Sequence, residues 1–246
     1  MILFSDFDNT IYFEHDPAKT AANIAAIDKW CKSGHQFVLA TGRNYASALR
    51  TGGKELMEKC DYFILDGGSL VYDRGLNLLK AVYLEPRVIS EIVEAASQMT
   101  ERPVPVYYTP DGDTLERRDD GVTKLRLRFR NTEALARAYG EFKGMPVTLF
   151  QVKDAPITNR QDLLGYDCFL EILPRESGKA QAVAYVAERL GCDLSEIITI
   201  GDDMNDTDML EEFDGYAPSG SFLARNGIVT KTVRSVADLV RQMEEK

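Results

Sequence analysis

The sequence predicts an α/β protein, a parallel-sheet core interrupted by an α+β insertion. Three observations carry this. Near the start, short continuous apolar runs alternate with helical stretches, as parallel strands buried on both faces do. In the middle, strands of alternating character replace them. Toward the end the first rhythm returns.

Taken in order, Ile2 to Phe7 is an apolar run that reads as a buried strand. Asp16 and Pro17 form a helix start, a capping carboxylate before proline at the first helical position. Ile24, Ile27 and Cys31 give that helix an apolar face, and Gly34 ends it. Phe37–Ala40 and Tyr62–Leu65 are two further buried strands. Ser69–Asp73 and Leu78–Leu84, joined through Arg74-Gly75, read as a hairpin. Pro86 opens a helix with Ile89, Ile92, Val93 and Ala96 on one face. Then come a strand Val104–Thr109, a turn Asp111-Gly112-Asp113, a strand Thr123–Arg130, a helix Glu133–Phe142 and strands near Val147–Val152 and Phe169–Leu173. Ser177 is expected to cap a helix carrying Val183, Val186, Ala187 and Leu190, ended by Gly191. Ile197–Ile200 is the next strand, and Ser235 caps the last helix. The expected domains are a core of residues 1–84 and 175–246 and an insertion of residues 85–174.

Composition narrows the function. The 246 residues include 29 basic and 39 acidic side chains, a net charge of −10, with a pI near 4.8. That balance argues against a protein gripping nucleic acid or anionic membrane over its whole surface. No apolar run reaches the roughly 18–20 residues of a membrane span, and no secretory leader is visible at Met1. Cys31, Cys60, Cys168 and Cys192 are far apart, with no CxxC pair, and read as reduced thiols of a cytoplasmic protein.

The chemistry sits at strand ends. Asp6 and Asp8 follow the first strand, and Asp202, Asp203 and Asp206 follow a late one. Ligands of open α/β sheets bind outside the carboxyl ends of strands. If these strands are neighbours, four or five carboxylates converge, and either their proton affinities rise or a cation sits among them. Oxygen ligands with open positions favour Mg²⁺. Thr41-Gly42 ends the second strand with a hydroxyl and a backbone N–H suited to a phosphate oxygen. Lys179 lies in the first turn of a helix, where a cation opposes the dipole unless an anion is there to meet it.

Asp6-Phe7-Asp8-Asn9-Thr10, Thr41-Gly42-Arg43, Lys179 and Gly201-Asp202-Asp203-Met204-Asn205-Asp206, in this order, resemble the four motifs of the haloacid dehalogenase superfamily. The insertion resembles the large α+β cap of its Cof-type, sugar-phosphatase-like branch. The resemblance implies a Rossmann-like core and Mg²⁺-dependent hydrolysis of phosphate monoesters of small metabolites, sugar phosphates foremost. Asp6 is then the nucleophile that becomes an aspartyl-phosphate, and Asp8 the general acid and base. Thr41, Gly42, Lys179 and Asn205 bind phosphate. The metal set is Asp6, Asp8 (through its carbonyl) and Asp202, with Asp206 supporting; Asp203 receives no role. The presence of Asp8 separates the chain from the ATP-driven pumps of the superfamily, which carry threonine there. Asn9 stands where glycine is commoner, and asparagine tolerates a left-handed backbone. Pro218-Ser219-Gly220-Ser221 departs from the family's Gly-Asn-Ala stretch and puts that loop's contact with the site in question.

Lys124, Arg126, Arg128 and Arg130 alternate with Leu125, Leu127 and Phe129. The expected reading is a solvated cationic face over an apolar core. The sharper one puts Arg126 and Arg128, with Arg43, on an anionic substrate. The tip Tyr107–Asp113 reads equally as a substrate contact or a surface turn. The implied partner is a small phosphorylated metabolite, with no nucleic acid and no membrane, for a monomer or small homo-oligomer. Two readings stay open beside the phosphatase: a phosphomutase with the same aspartyl-phosphate, and a non-catalytic phospho-ligand-binding member of the fold.

Overall fold

The computed structural model describes residues 1–153 and 161–245. These divide into two compact units, residues 1–80 with 178–246, and residues 81–177. The borders lie within three or four residues of those expected from sequence.

In chain order the strands are β1 (Ile2–Ser5), β2 (Gln36–Ala40), β3 (Tyr62–Leu65), β4 (Leu70–Asp73), β5 (Leu78–Ala81), β6 (Val104–Thr109), β7 (Gly112–Thr114), β8 (Lys124–Phe129), β9 (Val147–Val152), β10 (Cys168–Pro174), β11 (Ile197–Ile200), β12 (Asp214–Pro218) and β13 (Thr232–Val233). The longer helices are α1 (Pro17–Lys32), α2 (Pro86–Gln98), α3 (Thr132–Phe142), α4 (Lys179–Leu190) and α5 (Val236–Glu244).

The first unit is built on an eight-stranded sheet of order β13-β12-β11-β1-β2-β3-β4-β5. β1 pairs in parallel with both β11 and β2, and β3 pairs antiparallel with β4. β1 and β11 are buried at every position, which is why both read as unbroken apolar runs. Their adjacency has a direct consequence: residues that follow Ser5 and Ile200 leave the sheet side by side. The Asp6 N–H still donates to the Ile200 carbonyl at 2.9 Å.

Helix α1 starts as expected, with the Asp16 carboxylate accepting from the Lys19 N–H and proline in the first turn. Its buried positions are Asn23, Ile27 and Trp30, however, and Ile24 and Cys31 are only half-buried. The polar member has a task. Asn23 Nδ2 donates to the Thr10 and Ile11 carbonyls, at 3.3 and 3.1 Å, and ties the loop after β1 to the helix.

Ser177 does not cap α4. Gly178 is the N-cap residue, and the Ser177 hydroxyl donates to the Pro174 carbonyl at 2.8 Å. The Ala180 N–H of α4 is met instead by Asp208 Oδ2 at 3.0 Å.

The second unit is a five-stranded antiparallel sheet of order β7-β6-β8-β10-β9. One face packs on α2 and α3: Leu125, Leu127, Phe129, Leu170 and Ile172 are buried with Ile89, Ile92, Leu135 and Phe142. The turn after β6 is one step earlier than expected, at Pro110-Asp111, and Gly112–Thr114 is itself a strand. The expected solvated cationic face is also corrected. Lys124 is fully buried and Arg128 nearly so. Glu171 on β10 faces them, 2.6 Å from Arg126 Nε and 3.5 Å from Lys124 Nζ. The Arg126 guanidinium also stacks 4.3 Å from the Phe169 ring centroid. An internal carboxylate and aromatic rings take the place that water was expected to fill.

Candidate active site

Four chain segments of the first unit meet where β1 and β11 end. Asp6 follows β1, and Lys179 is the first residue of α4. The turn after β11 carries Asp202 and Asp206. Arg43, on the turn after β2, reaches the same loop as Asp6 by binding Asp8.

Lys179 is the hub. Its ammonium is wholly buried and lies 2.6 Å from Asp6 Oδ1 and 2.5 Å from Asp206 Oδ1. Burial works against its charge, but the Asp206 and Asp6 carboxylates outweigh it and hold Lys179 well above the ordinary lysine range. The dipole penalty visible in the sequence is thus met by carboxylates of the same chain.

Asp206 is fully engaged: Oδ1 takes Lys179, and Oδ2 accepts from the Asp202 and Asp203 N–H groups at 3.0 and 3.1 Å. It holds the lysine and shapes the turn together. Gly201 makes this possible, since a Cβ there would stand 2.4 Å from Asp206 Cγ. Asp203 caps the Met204–Asp206 turn, its Oδ1 accepting from the Met204 N–H at 2.8 Å. Asn205 is half-buried on that turn.

Asp6, Asp202 and Asp206 each place a carboxylate oxygen within 4.8 Å of the others. Burial drives Asp6 up to about 7, with Asp206 and Asp8 adding to the shift and Lys179 opposing it. Asp202 rises to about 9, through burial first and then the charges of Asp6, Asp206 and Asp203. Three carboxylates share one lysine, so the cluster lacks positive charge and takes up either protons or a cation. An all-oxygen donor set of three crowded carboxylates fits a hard divalent cation such as Mg²⁺. Asp6 and Asp202 are the carboxylates best placed for it, because Asp206 is committed to Lys179 and the turn.

Asp8 faces elsewhere. Arg43 grips it with two nitrogens, each at 2.7 Å. Arg43, expected on substrate, is therefore found on a carboxylate of the first motif. Asn9 adopts φ 53°, the left-handed conformation its substitution for glycine requires. Thr41 is fully buried; its Oγ1 accepts from the Arg43 N–H at 3.1 Å and its carbonyl from the Gly67 N–H at 3.1 Å. Gly42 is half-buried. Arg126 and Arg128 belong to the second unit, where Arg126 binds Glu171 and Tyr108 and Arg128 donates to the Tyr166 carbonyl.

Three contacts were not read from the sequence. Thr10 Oγ1 donates to Asp202 Oδ1 at 3.4 Å, joining the first and last motifs. Ser47 accepts from Arg43. Just after the stretch that departs from the family pattern, the backbone touches the site: the Leu223 N–H, in the short helix Phe222–Arg225, donates to the Asp202 carbonyl at 3.3 Å. Thr10 could have been found, since it ends the first motif; a backbone donor leaves no trace in side-chain type.

The chain is similar to proteins of known family. Residues 3–144 and 164–217 match the model of the haloacid dehalogenase-like hydrolases. YkrA of Bacillus subtilis, provisionally named a phosphatase, is 23% identical over 97% of this chain and 91% of its own. A HAD/COF-like hydrolase of Plasmodium vivax superposes with a TM-score of 0.78 at 17% identity, covering 99% of this chain and 95% of that one. BT4131, a subclass IIB sugar phosphatase, gives 0.74 at 13% identity, over 99% and 98%. The family match takes in Asp6, Asp8, Thr41, Lys179, Asp202 and Asp206 and most of the chain's length, so this protein belongs to the haloacid dehalogenase-like hydrolase family.

Proposed function

We propose that this enzyme is a phosphatase that hydrolyses phosphate monoesters of small metabolites, sugar phosphates foremost, through an aspartyl-phosphate on Asp6, with Mg²⁺ as cofactor. One observation carries most of the weight: Asp6 is buried beside the Lys179 ammonium, with Asp202 and Asp206 gathered around it. Asp6 attacks phosphorus as the ester oxygen leaves. Asp8 gives the leaving alcohol its proton, then takes one from the water that frees the phosphate. Lys179, Thr41, Gly42 and Asn205 hold phosphoryl oxygens. Asp6, Asp202 and the Asp8 carbonyl would hold Mg²⁺, which would supply charge to offset the phosphoryl oxygens. BT4131, whose fold this chain shares, supports the sugar-phosphate class. Substrate selection is assigned to the second unit, Arg126 and Arg128 foremost. The place of work is the cytoplasm, which suits four free cysteines.

The experiment is a screen of phosphorylated metabolites for phosphate release, with and without Mg²⁺. Release that requires Mg²⁺ and disappears in Asp6→Asn is expected. Turnover by Asp6→Asn refutes the nucleophile, and isomerised sugar phosphate without free phosphate replaces the hydrolase with a mutase. Arg128→Ala should raise KM more for doubly charged than for singly charged phosphate esters; equal effects remove Arg128 from substrate selection.

A further inference from the structure

Asp8 is gripped in a way that reaches beyond the family motifs. The Arg43 guanidinium forks onto it, Nε to Oδ2 and Nη2 to Oδ1, both at 2.7 Å. The third nitrogen, Nη1, donates to Ser47 Oγ at 3.1 Å. Both holders are pinned by their own backbone. The Arg43 N–H donates to Thr41 Oγ1 at 3.1 Å and its carbonyl accepts from the Asp66 N–H at 3.0 Å. The Ser47 N–H donates to Asn44 Oδ1 at 2.8 Å, at the start of a short helix. A guanidinium is planar and its fork is rigid, so it fixes both the direction and the plane of a carboxylate it holds. A hydroxyl on the third nitrogen fixes the plane of the guanidinium in turn.

We propose that Ser47, acting through Arg43, is a positioning residue that aims the Asp8 carboxyl at the ester oxygen of the substrate. The proposal rests on the phosphatase reading above. In the step it serves, the P–O bond to the alcohol breaks, the phosphoryl group passes to an Asp6 oxygen, and the Asp8 proton goes to the departing oxygen. Either Asp8 oxygen can leave its nitrogen while the other stays held, so the grip survives the proton transfer. Without it, a half-exposed aspartate samples several rotamers, few of which reach the leaving oxygen. Ser47 touches neither substrate nor the reacting atoms in this scheme.

The test exploits the leaving group. p-Nitrophenyl phosphate departs without needing a proton, while phenyl phosphate and p-methoxyphenyl phosphate need one increasingly. Because kcat/KM covers only the steps up to alcohol release, it isolates the acid role of Asp8. For Ser47→Ala, kcat/KM should be within about twofold of wild type with p-nitrophenyl phosphate and fall about fivefold with p-methoxyphenyl phosphate, the size expected for one lost hydrogen bond. Ser47→Thr, which keeps the hydroxyl, should restore the wild-type dependence. An equal loss across the series assigns Ser47 a purely structural role and overturns the proposal, as does no loss at all. If the wild-type protein hydrolyses none of the three esters, it is the phosphatase reading that fails.

Discussion

Lys179 shows how one buried cation can hold a cluster of carboxylates together. Among the described residues its ammonium is the one cation bonded to both Asp6 and Asp206, and all three side chains are buried. Lys179→Met removes that charge and leaves the carboxylates facing one another. Breaking a buried ion pair from one side costs about 3–5 kcal/mol, so the unfolding midpoint in denaturant should drop sharply. The loss should shrink in acid, where the carboxylates take up protons, and phosphate release should vanish at every pH. An unchanged midpoint would show that the cluster holds nothing together. Asp6→Asn is the contrast: it keeps the shape and a hydrogen-bond acceptor for Lys179, so the fold should survive while turnover does not. Lys179 was legible in the sequence because a cation in a first helical turn is an anomaly that demands an anion. Ser47 was not, because a hydroxyl in a polar turn has no such conflict to advertise.

At the level of elements, legibility follows from how local the cause is. β3 and β11 were read to the residue because continuous burial writes itself directly into apolar runs. The start of α4 was misread because its cap is not local: Asp208, 28 residues beyond Ala180, meets its N–H. The cationic face of β8 was misread for a similar reason, since alternation sets which side Lys124 and Arg126 occupy but says nothing of Glu171 opposite. Element ends also offer sharp tests. Gly68, at the turn after β3, has φ +100°, and a Cβ there would lie 2.1 Å from the Gly178 carbonyl oxygen. Gly68→Ala therefore strains its own backbone and pushes on the residue before Lys179. We expect a loss of a few kcal/mol together with most of the activity; a variant with wild-type stability and turnover would mean that the two turns do not need their close approach. At the start of α5 the Asp238 carboxylate accepts from the Arg234 side chain and backbone N–H and binds Arg241. These bonds, the Arg234 side chain first, hold Asp238 down to about 2. A depressed carboxylate stabilises the fold above its unfolded value and ceases to do so as pH falls through the folded one. Wild type should thus lose stability relative to Asp238→Asn between about pH 4 and about pH 2, and parallel curves would dismiss the network.

On the scale of the whole molecule, the chain leaves one sheet after β5, builds a second unit with its own core, and returns to finish the first. Residues 81–177 are continuous in sequence and bury an apolar core from both helices and the sheet, so this segment alone should unfold cooperatively; a fragment without a transition would tie its stability to the remainder. The first unit has the opposite character, since Asp6 lies before the interruption and Lys179, Asp202 and Asp206 after it. Its halves are joined by β1–β11 pairing, and the same pairing crowds the carboxylates. Crowding makes the fold sensitive to protons and to metal in opposite senses. Burial and neighbouring charges raise Asp6 to about 7 and Asp202 to about 9, so the metal-free fold holds protons that the unfolded chain has released. Groups raised in the fold stabilise it fully below their unfolded value, and that contribution is lost as pH climbs through the folded one. With chelator present, Tm should therefore fall between about pH 5 and about pH 9. On the proposed reading Mg²⁺ would take the place of those protons, so its affinity should grow as pH rises. The Tm gain on adding Mg²⁺ should be larger at about pH 9 than at about pH 6, and Asp202→Asn should flatten both dependences. A metal-free Tm indifferent to pH, with a Mg²⁺ effect equally flat, would mean that the carboxylates do not repel one another and have no common cation to share.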